Sequence, residues 1–331
     1  GLGEGDEIIC PTKTYWGSVS QAIWFGAIPV FCNINDMLSL DPDDLERCIT
    51  PRTKAIMVVH YCGYPCDMDR IMAIAKKHNL LVIEDVSHAQ GGLYKGRKLG
   101  TFGDVAAMSM MSGKSFAAGE LGMLVTDDRK IYERAMAFAH YERNNEKYIQ
   151  ETDELKPYYH IALGGIKGRA NQLCSALARG QLKYYDQRCA EIRKAMNYFW
   201  DLVEDLPGIR PIRVDESTGS NMAGFYYPHV RYFPEELHGL PVEVFCEAVR
   251  AEGVKIEEFD TVTPDTLRVA LLNIMPTKEA TEADFIRLLA TSKHNIELTL
   301  VKLDTHKPKT ASPEHMAKYY KGFGEIRDEH F

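Results

Sequence analysis

The stretch Leu80-Leu-Val-Ile-Glu-Asp-Val-Ser-His-Ala-Gln90 decides the fold. An unbroken apolar run ends in Glu84-Asp85, and His88 follows. Such a run reads as a buried strand, and parallel sheets bind ligands beyond the carboxyl ends of their strands. A second stretch, Ala107-Met-Ser-Met-Met-Ser-Gly-Lys114, reads as a strand ending in Ser109, a short polar loop and a lysine. An acid at one strand end and a lysine beyond the next suit pyridoxal 5'-phosphate chemistry. Lys114 would hold the cofactor as a Schiff base, and Asp85 would keep the pyridine nitrogen protonated so that the ring draws electrons.

Outward from these stretches, short apolar runs alternate with helical patterns. Residues 28–32, 54–60, 80–85, 105–110 and 123–126 read as buried strands; 19–25, 42–49, 68–78 and 129–140 read as helices, several with Asp or Asn near their starts. The alternation predicts an α/β layered domain with a mostly parallel sheet. Residues 141–168 are irregular and polar. A long helix is expected over 171–206, stopped by Pro207-Gly208, then a strand over 224–231 and a helix over 242–252 closed by Gly253. This is the pattern of a smaller α/β domain. Past a linker at 261–265 the pattern restarts: strand 267–274, helix 282–289, strand 296–303 and helix 313–321.

The 331 residues carry a formal net charge of -8 and are 45% hydrophobic, enough for a large core and more than one folding unit. Mild acidity without a long basic run argues against nucleic acid as a partner. No apolar stretch approaches the roughly 20 residues needed to span a bilayer. The start, Gly1-Leu-Gly-Glu-Gly-Asp-Glu7, has no basic segment followed by an apolar one, so it does not read as a signal peptide. Without an initiator Met, the chain reads as beginning inside a longer protein. Eight cysteines are scattered, and only Cys62 and Cys66 lie close together; without a second pair they read as reduced thiols in a cytoplasmic protein rather than a metal site.

Each candidate residue has a plainer reading beside the chemical one. Lys114 in Ser112-Gly-Lys-Ser115 also reads as a turn lysine; a nucleotide-binding phosphate loop would need Gly where Met108 stands. Asp85 also reads as a strand-end acid or cap. His88 reads as a ligand to the cofactor's phenolic oxygen or as a satisfied core histidine. Tyr15, in Pro11-Thr-Lys-Thr-Tyr-Trp16, offers a flat face for stacking on an aromatic cofactor or for the core.

Together these stretches resemble the DegT/StrS-type aminotransferases that act on nucleotide sugars and cyclitols. The matching segments are Gly3-Glu-Gly-Asp-Glu-Ile-Ile-Cys-Pro11, Gly26-Ala-Ile-Pro-Val-Phe31, Ile49-Thr-Pro-Arg-Thr-Lys-Ala-Ile56, Ile83-Glu-Asp85, Tyr94-Lys-Gly-Arg-Lys-Leu-Gly100, Phe102-Gly-Asp104, the Ser109-to-Lys114 spacing and Gln181-Leu182. The segment with His60 and Cys66-Asp-Met-Asp69 is most similar to the branch that aminates scyllo-inosose. The resemblance implies a fold type I large domain and a smaller α/β domain. It implies Lys114 as the Schiff-base lysine and proton shuttle, Asp85 on the pyridine nitrogen and His88 near the phenolic oxygen. Ser109 would bind the phosphate and Tyr15 would stack on the ring. Lys167 stands where many members place an Asn that reaches the partner subunit's cofactor phosphate, which implies a homodimer. The implied reaction is amino transfer from glutamine or glutamate to a keto sugar or keto-cyclitol. The family's dehydratase branch has histidine in place of the lysine, and Lys114 argues against it. Leu121 departs from the family's Gly-Glu-Gly-Gly run, and an N-terminal segment with part of the phosphate cup is expected to be missing.

Residues 267–331 resemble instead the start of homoserine O-acyltransferase, a flavodoxin-like α/β enzyme with a Cys–His pair. The resemblance rests on Leu267-Arg-Val-Ala-Leu-Leu-Asn-Ile-Met-Pro-Thr-Lys278, Thr305-His-Lys307 and Pro313-Glu-His315. The catalytic residues of that enzyme would lie beyond Phe331. The expected organisation is a cofactor-binding large domain over 1–165, an interdomain helix and small domain over 166–259, and the acyltransferase-like segment, a partial βαβα unit, over 260–331. Two other readings stay open: homoserine acyl transfer, and a join of two gene fragments without activity.

Overall fold

The computed structural model describes residues 2–162, 165–252, 256–259 and 300–303. Its larger sheet has six strands: β1 (Glu7–Pro11), β2 (Ile28–Cys32), β3 (Thr53–Val59), β4 (Leu81–Asp85), β7 (Val105–Ser109) and β8 (Gly122–Val125), in the order β2-β1-β3-β4-β7-β8. A small hairpin, β5 (Leu93–Tyr94) with β6 (Arg97–Lys98), lies between β4 and β7 in the chain. All pairings of the larger sheet are parallel except β7 with β8. The α/β reading and its strand ends at Asp85 and Ser109 are borne out.

Strict alternation along the central strands feeds two cores. Ile8 and Cys10 with Ala55, Met57 and Val59 enter one, while Ile9 with Ile56 and Val58 enters the other. Burial on both faces is why these strands read as continuous apolar runs. Helices α2 (Pro42–Cys48) and α3 (Met68–His78) cover the second face with Leu45, Met68 and Ile71. Asp41 and Asp67 cap these helices by accepting hydrogen bonds from the Asp43 and Arg70 N–H groups. The first face packs on Met196 and Trp200 of the long helix α5 (Gln172–Val203) and on Ile212, Val230 and Tyr232. The short α1 (Ser20–Trp24) and α4 (Arg129–Ala139) complete the larger unit.

The smaller sheet has the order β11-β12-β10-β9, from β9 (Ile209–Pro211), β10 (His229–Tyr232), β11 (Ile256–Phe259) and β12 (Leu300–Leu303), with α6 (Val242–Ala251) beside it. Every pairing in this sheet is antiparallel. The strand expected over 224–231 starts late, at His229, because Ala223 and Phe225 take positive φ angles of 51° and 46° that an extended strand cannot hold. The long helix ends at Val203 rather than near Leu206. Of the elements expected past residue 260, β12 falls within the described residues and pairs between β10 and β11; the others lie outside them.

The connectivity decides where a ligand can sit. β1 lies between β2 and β3, so the chain passes to one side of β1 after the first strand and to the other side after the second. The reversal opens a crevice outside the carboxyl ends of β1 and β3, the usual ligand position in open α/β sheets.

Candidate active site

Asp85 closes β4 at that edge. Its Oδ2 accepts a hydrogen bond from the Ser18 hydroxyl at 2.7 Å, and its Oδ1 accepts one from the Ser87 N–H at 2.9 Å. Thr14 Oγ1 lies 2.9 Å from Ser18 Oγ, and the Tyr15 carbonyl accepts from the Ser18 N–H, so the turn after β1 aims the hydroxyl at the acid. Each carboxylate oxygen keeps a lone pair for a further donor.

Lys114 sits in a turn beyond β7, closed by its N–H on the Met111 carbonyl at 2.9 Å. Its ammonium lies 4.7 Å from the centre of the Tyr226 ring and 3.5 Å from the Tyr226 hydroxyl. Burial pushes its pKa below the usual lysine range, and the charge of Asp85 pulls it partly back. A lysine that gives up its proton readily is equipped to act as nucleophile and proton carrier.

His88 is clamped. Its Nδ1 accepts a hydrogen bond from the Cys62 N–H at 3.1 Å, and its ring stacks on Tyr226 at 4.2 Å and 22°. Burial, then the Lys114 ammonium, push its pKa down to about 3, with Asp85 opposing them. The ring is therefore neutral, and with Nδ1 accepting, its proton sits on Nε2 as a donor. The clamp requires an unusual turn: Cys62 has φ 56° and Gly63 φ 101°, and a Cβ at Gly63 would lie 3.2 Å from the His88 carbonyl oxygen. Backbone held in such conformations clusters at functional sites.

Ser109 joins the group through its backbone, donating its N–H to Ser87 Oγ at 2.9 Å. Its carbonyl accepts from Gln90 Nε2 at 2.6 Å, and its hydroxyl oxygen accepts from the Met111 N–H at 3.3 Å. Asp85, His88, Ser109 and Lys114 thus share one edge. Tyr15 stands at the same edge but its side chain is 62% exposed, tilted against Trp16. Lys167 is engaged elsewhere, with Glu142 at 2.6 Å and over the Tyr141 ring.

Sequence reading missed Ser18, Tyr61, Cys62 and Tyr226. Tyr61 packs 5.6 Å from the His88 ring, and Tyr226 arrives from the segment just before β10. Neither carries a local spacing signal, and the contact of Tyr226 with Lys114 spans 112 positions. Leu121, the departure from the Gly-rich run, has a simple account: its carbonyl accepts from the Met110 N–H, and its side chain packs against the cluster of Met110, Phe116, Ala118 and Tyr185. The eight cysteines are all free thiols, and no helix of the described residues is long and apolar enough to cross a membrane.

The model of the DegT/DnrJ/EryC1/StrS aminotransferase family matches residues 1–259, and that of homoserine O-succinyltransferase matches residues 250–331. GDP-perosamine synthase of Escherichia coli O157:H7 is 38% identical over 200 residues, covering 60% of this chain and 52% of that protein. A putative L-glutamine:3-amino-2,3-dideoxy-scyllo-inosose aminotransferase of Micromonospora echinospora is 32% identical over 275 residues, covering 83% of this chain and 63% of that one. The chain thus spans between half and two thirds of the length of these relatives. The solved structure of an aminotransferase from Psychrobacter cryohalolentis has the same fold, with a TM-score of 0.72 at 24% identity over 100% of this chain and 83% of that one.

Proposed function

The chain belongs to the DegT/DnrJ/EryC1/StrS aminotransferase family through residues 1–259, and from that premise we propose that it is a pyridoxal-phosphate-dependent aminotransferase of keto sugars or keto-cyclitols. The residues present suit the cofactor's polar atoms. Lys114 offers an amine that deprotonates readily, Asp85 a carboxylate with spare lone pairs, and His88 an N–H donor. Bound there, pyridoxal phosphate supplies an electron sink and a carrier for the amino group.

The rest of the work belongs to the chain. Lys114 would hold the cofactor and carry a proton to and from the donor's α-carbon. Asp85, fixed by Ser18 and Ser87, would pair with the ring nitrogen and favour its protonated form. His88 would donate to the phenolic oxygen without changing charge. Ser109 would bind the phosphate and Tyr15 would cover the ring. Glutamine or glutamate gives up its nitrogen first, and a keto acceptor such as scyllo-inosose takes it second. The observation that carries this reading is the gathering of Lys114, against Tyr226, with the Ser18-held Asp85 and the clamped His88 at the carboxyl edge of the sheet.

We also propose a homodimer. Phe25 packs edge-on against Phe138, both exposed, and the Ile166 N–H donates to the Phe138 carbonyl, so an apolar patch lies beside Lys167. Helix α5 exposes Leu173 and Leu182 at 80% and 65%. Exposed apolar area of this kind marks an interface. Lys167 then reaches the partner's cofactor phosphate as a point charge. We take residues 1–165 as the cofactor-binding unit, 166–259 as the helix and small unit, 260–331 as the acyltransferase-like segment, and the cytoplasm as the compartment that suits eight free thiols.

The test is direct. Adding pyridoxal phosphate to the folded chain is expected to raise a visible absorption band, lost in Lys114→Ala and kept in Lys278→Ala. With scyllo-inosose and glutamine, amine is expected to appear on the cyclitol. A folded wild-type chain that gives no band overturns the reading.

A further inference from the structure

Helix α2 turns two ligand-type side chains to the same side. Asp44 and Cys48 lie one helical turn apart, so they share a face, and both are buried. Cys32 closes the neighbouring strand β2. The Cys48 sulfur lies 3.7 Å from the Phe31 carbonyl oxygen of that strand and 3.8 Å from Asp44 Oδ2. The Cys32 sulfur, the Cys48 sulfur and an Asp44 carboxylate oxygen all lie within 4.8 Å of one another. Among the described residues, no other three histidine, cysteine or carboxylate side chains converge in this way.

Two thiolates and a carboxylate are a donor set for a thiophilic divalent cation, zinc above all, and a poor one for magnesium or calcium. In a tetrahedral zinc site two sulfurs stand about 3.8 Å apart, and a sulfur and an oxygen about 3.5 Å apart. Closing the group from 4.8 Å to that spacing asks each side chain to move by about 1 Å or less. Charge also balances. A cation of charge +2 among two thiolates and a carboxylate leaves one negative charge, and the Arg47 guanidinium stands 2.6 Å from Asp44 Oδ1 to neutralise it. The Asn33 N–H donates to Asp44 Oδ2 at 2.9 Å, which orients the carboxylate and leaves that oxygen a lone pair for the ion. Thiols buried as Cys32 and Cys48 are keep their protons until a cation displaces them. The side chain of Asp44 is 10% exposed, so this is the side by which an ion enters and a water takes the fourth position.

We propose that Cys32, Asp44 and Cys48 form a zinc site that clamps α2 to the end of β2. Binding exchanges two S–H bonds for two metal–sulfur bonds and releases two protons to solvent; nothing is oxidised. The site belongs to the second core, whereas Tyr61 and Cys62 of the crevice belong to the first, so it is independent of the aminotransferase reading. The expectation of reduced thiols without a metal rested on the spacing of Cys62 and Cys66, and neither takes part here.

The probe is cobalt(II), added to the full chain after dialysis against a chelator. One equivalent is expected to raise an intense thiolate-to-cobalt charge-transfer band in the near ultraviolet, which zinc then bleaches by displacement. Cys32→Ala and Cys48→Ala are each expected to bind cobalt at least about tenfold more weakly, and Asp44→Asn to keep the band at lower affinity. Cys174→Ser, at a partly exposed thiol outside the group, is expected to bind as the wild type does. Circular dichroism checks each fold. Zinc is also expected to raise the melting midpoint of the wild type and not that of Cys32→Ala. Should the alanine variants fail to fold, X-ray absorption of the zinc-loaded wild type decides instead: two sulfur ligands support the site, and none or four overturn it. A folded wild type that gives no cobalt band overturns the proposal. So does a band that survives both Cys32→Ala and Cys48→Ala. A Cys32–Cys48 disulfide in the freshly purified chain overturns it too, by making the pair a redox element.

Discussion

The imidazole of His60 and the carboxylate of Glu84 meet at 3.1 Å, both without solvent exposure. His60 Nδ1 accepts from the Cys66 N–H, so its Nε2 proton points at Glu84. The carboxylate also takes N–H groups from Gly100 at 2.8 Å and from Phe102 and Gly103 at 2.7 Å each. Three of the four donors on this carboxylate come from the 100–103 turn and tie it to the strand whose next residue is Asp85. Glu84→Gln puts an NH2 group among donors and is expected to cost about 3 kcal/mol, measured by urea unfolding. Burial alone would raise the Glu84 pKa, but His60 and the amide donors hold it below the ordinary carboxylate value. A depressed folded pKa stabilises above the ordinary carboxylate pKa and stops doing so as pH falls through the folded value. The wild type should therefore lose more stability than Glu84→Gln on acidification below the ordinary Glu range; equal losses would remove Glu84 from this role.

Glu133 does the same for the loop before Lys167. Its side chain is fully buried and accepts from Arg129 Nε at 2.9 Å, from Gln150 N–H at 2.9 Å and from Thr152 N–H at 2.8 Å. Burial pushes its pKa up, but Arg129 and the amides win and bring it down to about 2. The stabilisation is complete above the ordinary carboxylate value of 4.5 and fades as pH drops toward about 2. Hydrogen exchange at the Gln150, Glu151 and Thr152 amides should speed up in Glu133→Gln at neutral pH. If protection there is unchanged, the carboxylate does not hold the loop.

The clamp on His88 separates its hydrogen bonding from its charge. With a pKa of about 3 it does not titrate between pH 5 and 8, so the pH profile of the wild type carries no His88 limb. His88→Gln keeps a donor and is expected to stay within about tenfold of wild-type kcat. His88→Phe keeps the stack on Tyr226 and loses the donor, for a fall of roughly 10- to 100-fold, the range of one charge-assisted hydrogen bond. Nitrogen NMR should find the proton on Nε2. A resonance that titrates near pH 6.5 would sink the clamp.

Legibility in the sequence followed the range of the forces involved. Strand Ile28–Cys32 and helix Met68–His78 fall where apolar period and Asp caps place them, because both signals are local. The central strand Glu7–Pro11 escaped a periodicity reading, since Ile8-Ile9-Cys10 is too short a run between Glu and Pro, although every residue of it is buried. Its neighbours identify it: Glu7 pairs with Thr53 and Ile28, a non-local fact. The acid and lysine of the site were legible because strand ends are. Tyr226 and Tyr61 were not, because the segment just before β10 and the turn after β3 bring them in only once the chain has folded.

The exposed leucines of α5 give the last prediction. Asn171 starts this helix by accepting from the Leu173 and Cys174 N–H groups, and within it Trp200 is buried while Leu173 and Leu182 face outward. Burying one such leucine at an interface contributes about 1.5–3 kcal/mol, and an acid in its place adds the cost of desolvating a charge. Leu182→Glu is therefore expected to raise the dimer dissociation constant at least about tenfold, read by sedimentation velocity across a dilution series. Helix content should hold, since the side chain makes no core contact that the fold depends on. Loss of the dimer should also weaken pyridoxal phosphate binding, because Lys167 then has no partner site to reach. A wild-type chain that sediments as a monomer at every concentration would refute the dimer, and a dimer indifferent to Leu182→Glu would move the interface off this face of α5.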